Sequence, residues 1–304
     1  MISLKSLRRG VLPGIFVLAL LGSGAHAQQS YRTPEDAAAA LAAAVKSGPR
    51  DILKVLGGAA EDIVFSGDEV ADNDIRQRFS SMYDARHGIK AEGNKSATLI
   101  LGPDDFPFPI PLVNTKAGWE FDTDGGRIEV LRRRIGRNEL DAIQTALAFV
   151  DAQNEYADKD RGEGVGIYAQ HIMSSPGKKD GLFWRDDNDP SPLGPLAAQA
   201  SSEGYKAGEG MAPYHGYYFR ILKGQGPDAP GGALNYVVKG KMIGGFALIA
   251  WPAEYGNSGV MTFLVNHAGV VYQKDLGQRT DFVAKRLTLF DPDQTWKKVD
   301  VAKP

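Results

Sequence analysis

An exported chain without cysteine has no disulfides to hold it and must rely on burial alone. None of the 304 residues is cysteine. The N-terminus reads as a secretory signal over residues 1–27. Lys5, Arg8 and Arg9 lead, an apolar run follows from Val11 to Leu21, and small residues from Gly22 to Ala27 precede a cut after Ala27. That run is shorter than the roughly 20 residues a membrane span needs, and Pro13 interrupts it. The expectation is a periplasmic or secreted protein, in a compartment that permits disulfides but finds none to form. The chain after the cut is long enough to bury a large core.

Charge narrows the partners. The chain has 35 basic and 37 acidic residues; the signal removes three of the basic ones, leaving 32 and a formal charge of −5. This balance argues against nucleic acid or an anionic lipid surface. No later stretch is long and apolar enough to span a membrane, so no transmembrane segment is expected after cleavage.

The pattern along the chain gives an α+β fold. Thr33 is a helix N-cap, Pro34 fits the first helical position, and Glu35 and Asp36 face the positive helix end. Gly48-Pro49 ends that helix. A short helix follows near Asp51 to Leu56, and a third from about Asp68 to Arg86, with His87-Gly88 at its end. Strand signals take over at Ala97 to Leu101. Leu112-Val113 and Trp119 to Phe121 flank a hairpin-like turn, and Asp122 to Gly126 reads as a second turn. A long helix is expected from Arg137 or Asn138 to Tyr156, with Leu140, Ile143, Leu147 and Val150 as its apolar stripe. Pro176 to Pro195 reads as a polar loop. Strand candidates are Gly216 to Leu222, Gly245 to Trp251, Val260 to Val265 and Val270 to Gln273. Gly224 to Gly232, rich in glycine and proline, reads as a mobile loop. The tail from Asp281 to Val301 adds a helical turn and a strand edge. The organisation expected is a signal at 1–27, a helical and hairpin region at 28–135, and a connecting helix with a C-terminal antiparallel sheet and long loops at 136–304.

Candidate chemistry is sparse. Four histidines follow the signal, none at a metal-ligand spacing. His215 and His267 sit at strand ends and could meet as acid and base, with Glu254 the nearest carboxylate of interest. The competing reading is two separate turn histidines. Asp186 to Asp189 offers hard oxygen ligands but lacks the spacing of a calcium loop; Asp122 to Gly126, with Glu129 beyond, is closer to one, but Asp with Gly is also ordinary turn chemistry. No serine elbow and no phosphate-cradling glycine loop occurs. Neither a metal nor a cofactor is expected. Arg132, Arg133, Arg134 and Arg137 form the one basic cluster; it is either a phosphate or acidic-partner site or a face paired with Glu129 and Glu139. Trp251, Tyr255 and Tyr217 could line a groove for a carbohydrate or peptide, although strand alternation sends many such aromatics into a sheet core.

Two stretches carry a resemblance. One is Arg134-Ile135-Gly136-Arg137-Asn138-Glu139-Leu140-Asp141-Ala142-Ile143. The other runs from Tyr217-Tyr218-Phe219-Arg220-Ile221-Leu222 through Gly244 to Gly256, containing Trp251-Pro252-Ala253-Glu254-Tyr255, to Gly269-Val270-Val271-Tyr272-Gln273-Lys274-Asp275-Leu276-Gly277. Together they resemble the bacterial domain of unknown function family 2950 over nearly the whole chain after the signal. The resemblance implies an exported bacterial protein without an assigned function. The second half is also similar to the globular heads of prepilin-like proteins, although the N-terminal methylation segment of a pilin is missing. Three functions follow as expectations. The first is a non-enzymatic binding or structural module for an envelope protein or surface polymer. The second is an envelope hydrolase acting on glycan or peptide. The third is an accessory of a pilus-like secretion assembly.

Overall fold

The first helix begins where its cap places it. In the computed structural model, which describes residues 28–162, 164–186, 188–206 and 212–300, the Thr33 hydroxyl accepts from Asp36 N at 3.0 Å and opens α1, Pro34–Ser47. The expected signal, its cut, Asp187 and Val301 lie outside the described residues. Helices α2 (Pro49–Leu56), α3 (Glu61–Val64) and α4 (Glu69–Ala85) follow. His87 opens strand β1 (His87–Glu92), and its ring bonds back to Tyr83 O at 2.8 Å, in the last turn of α4. Strands β2 (Ser96–Leu101), β3 (Phe106–Pro107), β4 (Leu112–Thr115) and β5 (Gly118–Phe121) complete an antiparallel sheet in the order β1-β2-β4-β5, with β3 on β2. Leu41, Val55, Leu99, Leu112 and Phe121 form its core with the helices.

Asp122 to Gly126 is the start of a helix and not a turn. The Asp122 carboxylate accepts from Gly125 N at 2.9 Å and caps α5, Thr123–Ala157, 35 residues long. The two glycines serve close approach: a Cβ on Gly126 would sit 2.6 Å from Ile110 Cα. Helix α5 therefore begins well before the expected start and runs through position 135 without a break. Its first half contacts the N-terminal unit, and its second half buries Ala142, Ile143, Ala146, Phe149 and Val150 in the C-terminal core. Leu140, expected in that stripe, is 63% exposed.

Beyond α5, two short parallel strands, β6 (His171–Met173) and β7 (Gly181–Phe183), precede helix α6, Gly194–Glu203. The main sheet is antiparallel, in the order β16-β15-β14-β13-β8, from β8 (Tyr217–Leu222), β13 (Ala247–Pro252), β14 (Met261–Asn266), β15 (Val271–Asp275) and β16 (Lys297–Lys298). Between β8 and β13, the two-residue strands β9 (Gly224–Gln225) with β10 (Leu234–Asn235) and β11 (Val237–Val238) with β12 (Lys241–Met242) form ribbons. The glycine-rich segment expected to be mobile is fastened down. Gln225 donates to Pro230 O and Gly232 O, and Asp291 accepts from Asp228 N and Ala229 N. Helix α7, Thr280–Ala284, closes the far side.

Register sorts the sheet's residues by face, because opposed residues point the same way. Trp251 faces with Tyr218, and Ile249 with Arg220 and Leu264; Ala250 shares the other face with Phe219 and Phe263, and Leu248 with Ile221 and Val265. The first face meets α7: Trp251 donates to Asp281 at 3.2 Å, and Arg220 donates to Ala284 O at 2.8 Å. The second meets α5. All six residues of β13 are buried, as expected of a strand covered on both sides.

A polar seam joins the two units. Buried Arg134 donates to Asp62 O at 2.8 Å, and also to Ile63 O and Asn257 Oδ1. Asn138 donates to Ser258 O, and Glu139 accepts from Val260 N and Met261 N. Arg132 and Arg133 pair with Glu129, as the charge pattern suggested, whereas Arg134 and Glu139 leave the cluster to hold the seam.

Candidate functional site

The second face of the main sheet is incompletely filled. Alternation along β8 and β13 points Phe219 and Leu248 toward α5, where Phe149 meets them; Phe183 of β7 forms a side. Helix α6 is the roof. Its sequence, GPLAAQASSE, presents mainly small side chains, and none of its residues is buried. Leu196, Ala197 and Ala200 face a space they cannot fill, leaving a cavity of about 740 Å³. Cavities of roughly 300–1,000 Å³ with mostly apolar walls and a few polar groups are typical small-molecule sites.

Both ends of the roof are tied. At its start, Leu193 N donates to Leu182 O at 3.0 Å. At its end, Glu203 Oε2 lies 2.8 Å from His215 Nε2, while His215 Nδ1 lies 3.0 Å from Asp141 Oδ2 on α5. The imidazole is thus clamped between two carboxylates on two helices. Burial alone would push its pKa down, but the hydrogen bonds and charges of Asp141 and Glu203 outweigh that and hold it above its ordinary value. His215 also adopts a left-handed backbone, with φ of 49°. The tie continues into the N-terminal unit. Tyr205 OH donates to Asp68 at 2.8 Å and accepts from His215 N, and Gly216 N donates to the same Asp68 oxygen at 2.9 Å. Gly216 has φ of 75°, and a Cβ there would sit 2.6 Å from Asn138 Nδ2, so only glycine fits. Burial pushes the Tyr205 hydroxyl pKa up, and pushes that of Tyr214 up to about 12, so both remain protonated donors at neutral pH.

The residues singled out from sequence fall in different places. His215 and His267 do not meet. Register puts His267 just past Asn266, opposite Ala247, and His215 at the Pro252 end, so the six residues of β13 separate them by roughly 17 Å. His267 is exposed and packs edge-on to Tyr236 and Phe246. Glu254 shares the sheet end with His215, since Ala253 N donates to Gly216 O, but its carboxylate accepts from Asn257 at 2.7 Å. It lines an open polar depression with Glu61, Asp62 and Arg127. No groove forms from Trp251, Tyr217 and Tyr255. Trp251 and Tyr217 are fully buried because both sheet faces are covered, and Tyr217 OH donates inward to Met261 O at 3.0 Å. Only Tyr255 reaches the surface, where its hydroxyl donates to Asp275. Asp186 and Asp189 both bind Lys179, and Asp122 caps a helix. Among the described residues no group of His, Asp and Glu is placed to hold a metal ion.

Sequence reasoning missed the cavity. Its roof has no apolar stripe to announce a helix, and its floor joins residues of two strands to Phe149 of α5, which no local pattern brings together.

The match to known families covers almost everything described. The family model for "Protein of unknown function (DUF2950)" matches residues 28–299, and the chain belongs to this family. Among the curated proteins and among the solved structures, nothing matches. These comparisons do not show the likeness of the second half to prepilin-like heads. Among the described residues, no helix is long and apolar enough to cross a membrane.

Proposed function

We propose that this protein is an exported, non-enzymatic binding module whose ligand occupies the cavity beneath α6. One observation carries the reading: a space of about 740 Å³ floored by Phe149, Phe219 and Leu248 and roofed by a helix with no buried residue. Void of that size facing apolar side chains forfeits packing contacts, and a ligand with an apolar body restores them. The signal pattern of residues 1–27 supports a setting in the periplasm or outside the cell. For an envelope hydrolase, a His215–His267 pair has no support, since the two histidines sit at opposite ends of the sheet; Glu254 lines a separate polar depression with Glu61 and Asp62. A pilus-like accessory role has no feature of this site behind it.

The test is occupancy. An environment-sensitive apolar fluorophore should bind the protein with one site per chain. Ala200→Leu, which projects a larger side chain into the space, should remove that binding while leaving the fold intact by circular dichroism. Equal binding to both forms would show that the dye sits elsewhere and would remove the cavity as the site.

A further inference from the structure

The charges at the cavity wall indicate what the far end of the ligand carries. In a chain where acids outnumber bases, the ionised side chains lining this cavity among the described residues are Arg185 and Lys206, and no carboxylate lines it. Neither cation forms an ion pair with a described residue. Among the described residues, the acids near this part of the chain pair elsewhere: Asp186 and Asp189 with Lys179, Glu203 and Asp141 with His215. Tyr214 adds a half-buried hydroxyl on the same wall, held protonated and able to donate. Both cations are exposed at the cavity's edge, and an arriving anion can meet them through charge-assisted hydrogen bonds. The rest of the wall is apolar, with Phe149, Phe219, Leu248 and Leu196 offering no partner for a polar ligand body.

We propose that the ligand is an amphipathic anion, a free single-chain carboxylic acid whose chain lies between α6 and the sheet and whose carboxylate meets Arg185 and Lys206. This rests on the cavity being the binding site. The volume is within the small-molecule range and favours one chain over the two of a membrane phospholipid.

The experiment is displacement of the apolar fluorophore from the full protein by laurate, dodecanol, dodecylamine and phosphatidylglycerol vesicles. Laurate should compete roughly tenfold better than dodecanol, consistent with one or two hydrogen bonds to charged donors. Dodecylamine and vesicles should compete worst. The double variant Arg185→Gln with Lys206→Gln, both exposed positions, should lower laurate to the level of dodecanol and leave dodecanol unchanged. Equal competition by laurate and dodecanol, preference for the amine or the vesicles, or a double variant that still prefers laurate would overturn the anionic head while leaving the cavity reading in place. Failure of every chain to displace the fluorophore would remove the cavity reading itself.

Discussion

The two faces of the main sheet are built from the same strands and are filled differently. Toward α7, Trp251, Tyr218, Ile249 and Leu264 are packed, Tyr272 meets Phe290 edge-on at 5.8 Å, and Arg220 lies over Trp251 while bonding the backbone at the end of α7. Toward α5 and α6, half-buried Phe219 borders the cavity, with Leu248 buried behind it. The difference lies in the covering elements. One face is sealed by aromatic side chains and a bonded helix end; the other is roofed by GPLAAQASSE, whose alanines and serines keep the helix clear of the floor. Helix α6 covers this face with half-buried residues only, Leu196 packing against the core, and is tied at both ends. Here those ends are Leu193 on Leu182 and Glu203 on His215. Close packing marks the part of the sheet that supports the fold, and the loosely roofed part is where a ligand gains most.

Substitutions can break this contrast. Trp251→Ala should cost about 3–5 kcal/mol in denaturant unfolding, the range for a buried aromatic whose site cannot collapse. Phe219→Ala, on the cavity face, should cost less than about 2 kcal/mol, because part of its surroundings is already empty. Equal losses would mean that the two faces are packed alike.

Asp68→Ala should cost about 1–3 kcal/mol, since buried Gly216 N loses its acceptor and Tyr205 OH loses its partner. The loss should be local. Amide exchange should accelerate at Tyr205, Gly216 and the last turn of α6, and remain slow along β13 and β14. Uniform acceleration would show that the seam supports both faces equally.

The His215 clamp makes the roof sensitive to pH. Its pKa lies above the ordinary 6.5 when folded, so the stabilisation is fully present below about pH 6.5 and is lost as pH rises through the raised value. Wild type should therefore lose stability relative to His215→Gln between pH 6 and pH 9, as followed by thermal unfolding in matched buffers. A pH-independent difference would mean that the imidazole is held by packing alone. Last and smallest, Ala200→Leu should raise stability by about 0.5–1 kcal/mol by filling space, where the same enlargement on the α7 side would strain the core.

Much of this was legible in the sequence, and the gaps have physical causes. Caps are local, so Thr33 announced α1, while apolar spacing announced α4, whose cap is Asp68. The runs at 216–222, 245–251, 260–265 and 270–273 announced the main sheet, since each alternates or is wholly apolar over strand length. The start of α5 was hidden because Asp122 and the two glycines also spell a turn; what selects the helix is the approach of Gly126 to Ile110, more distant in sequence than any local pattern reaches. Helix α6 was hidden because its half-buried face consists of alanines beside one leucine, Leu196, too weak an apolar period to read. The roles of Arg134, Asn138, Glu139 and Asp141 were hidden because their partners lie far along the chain, at Asp62, Asn257, Ser258, Val260 and His215. Of the four arginines clustered in sequence, Arg132 and Arg133 pair with Glu129, Arg134 is buried in the seam and Arg137 is exposed, a distinction that only burial makes.

The most direct test of the cavity as a ligand site is a crystal of the protein soaked with a long-chain carboxylic acid bearing a terminal bromine. The account requires the anomalous bromine peak between α6 and the sheet, near Phe149, Phe219 and Leu248. A peak at another surface, or an empty space beneath α6 at saturating ligand, would contradict it.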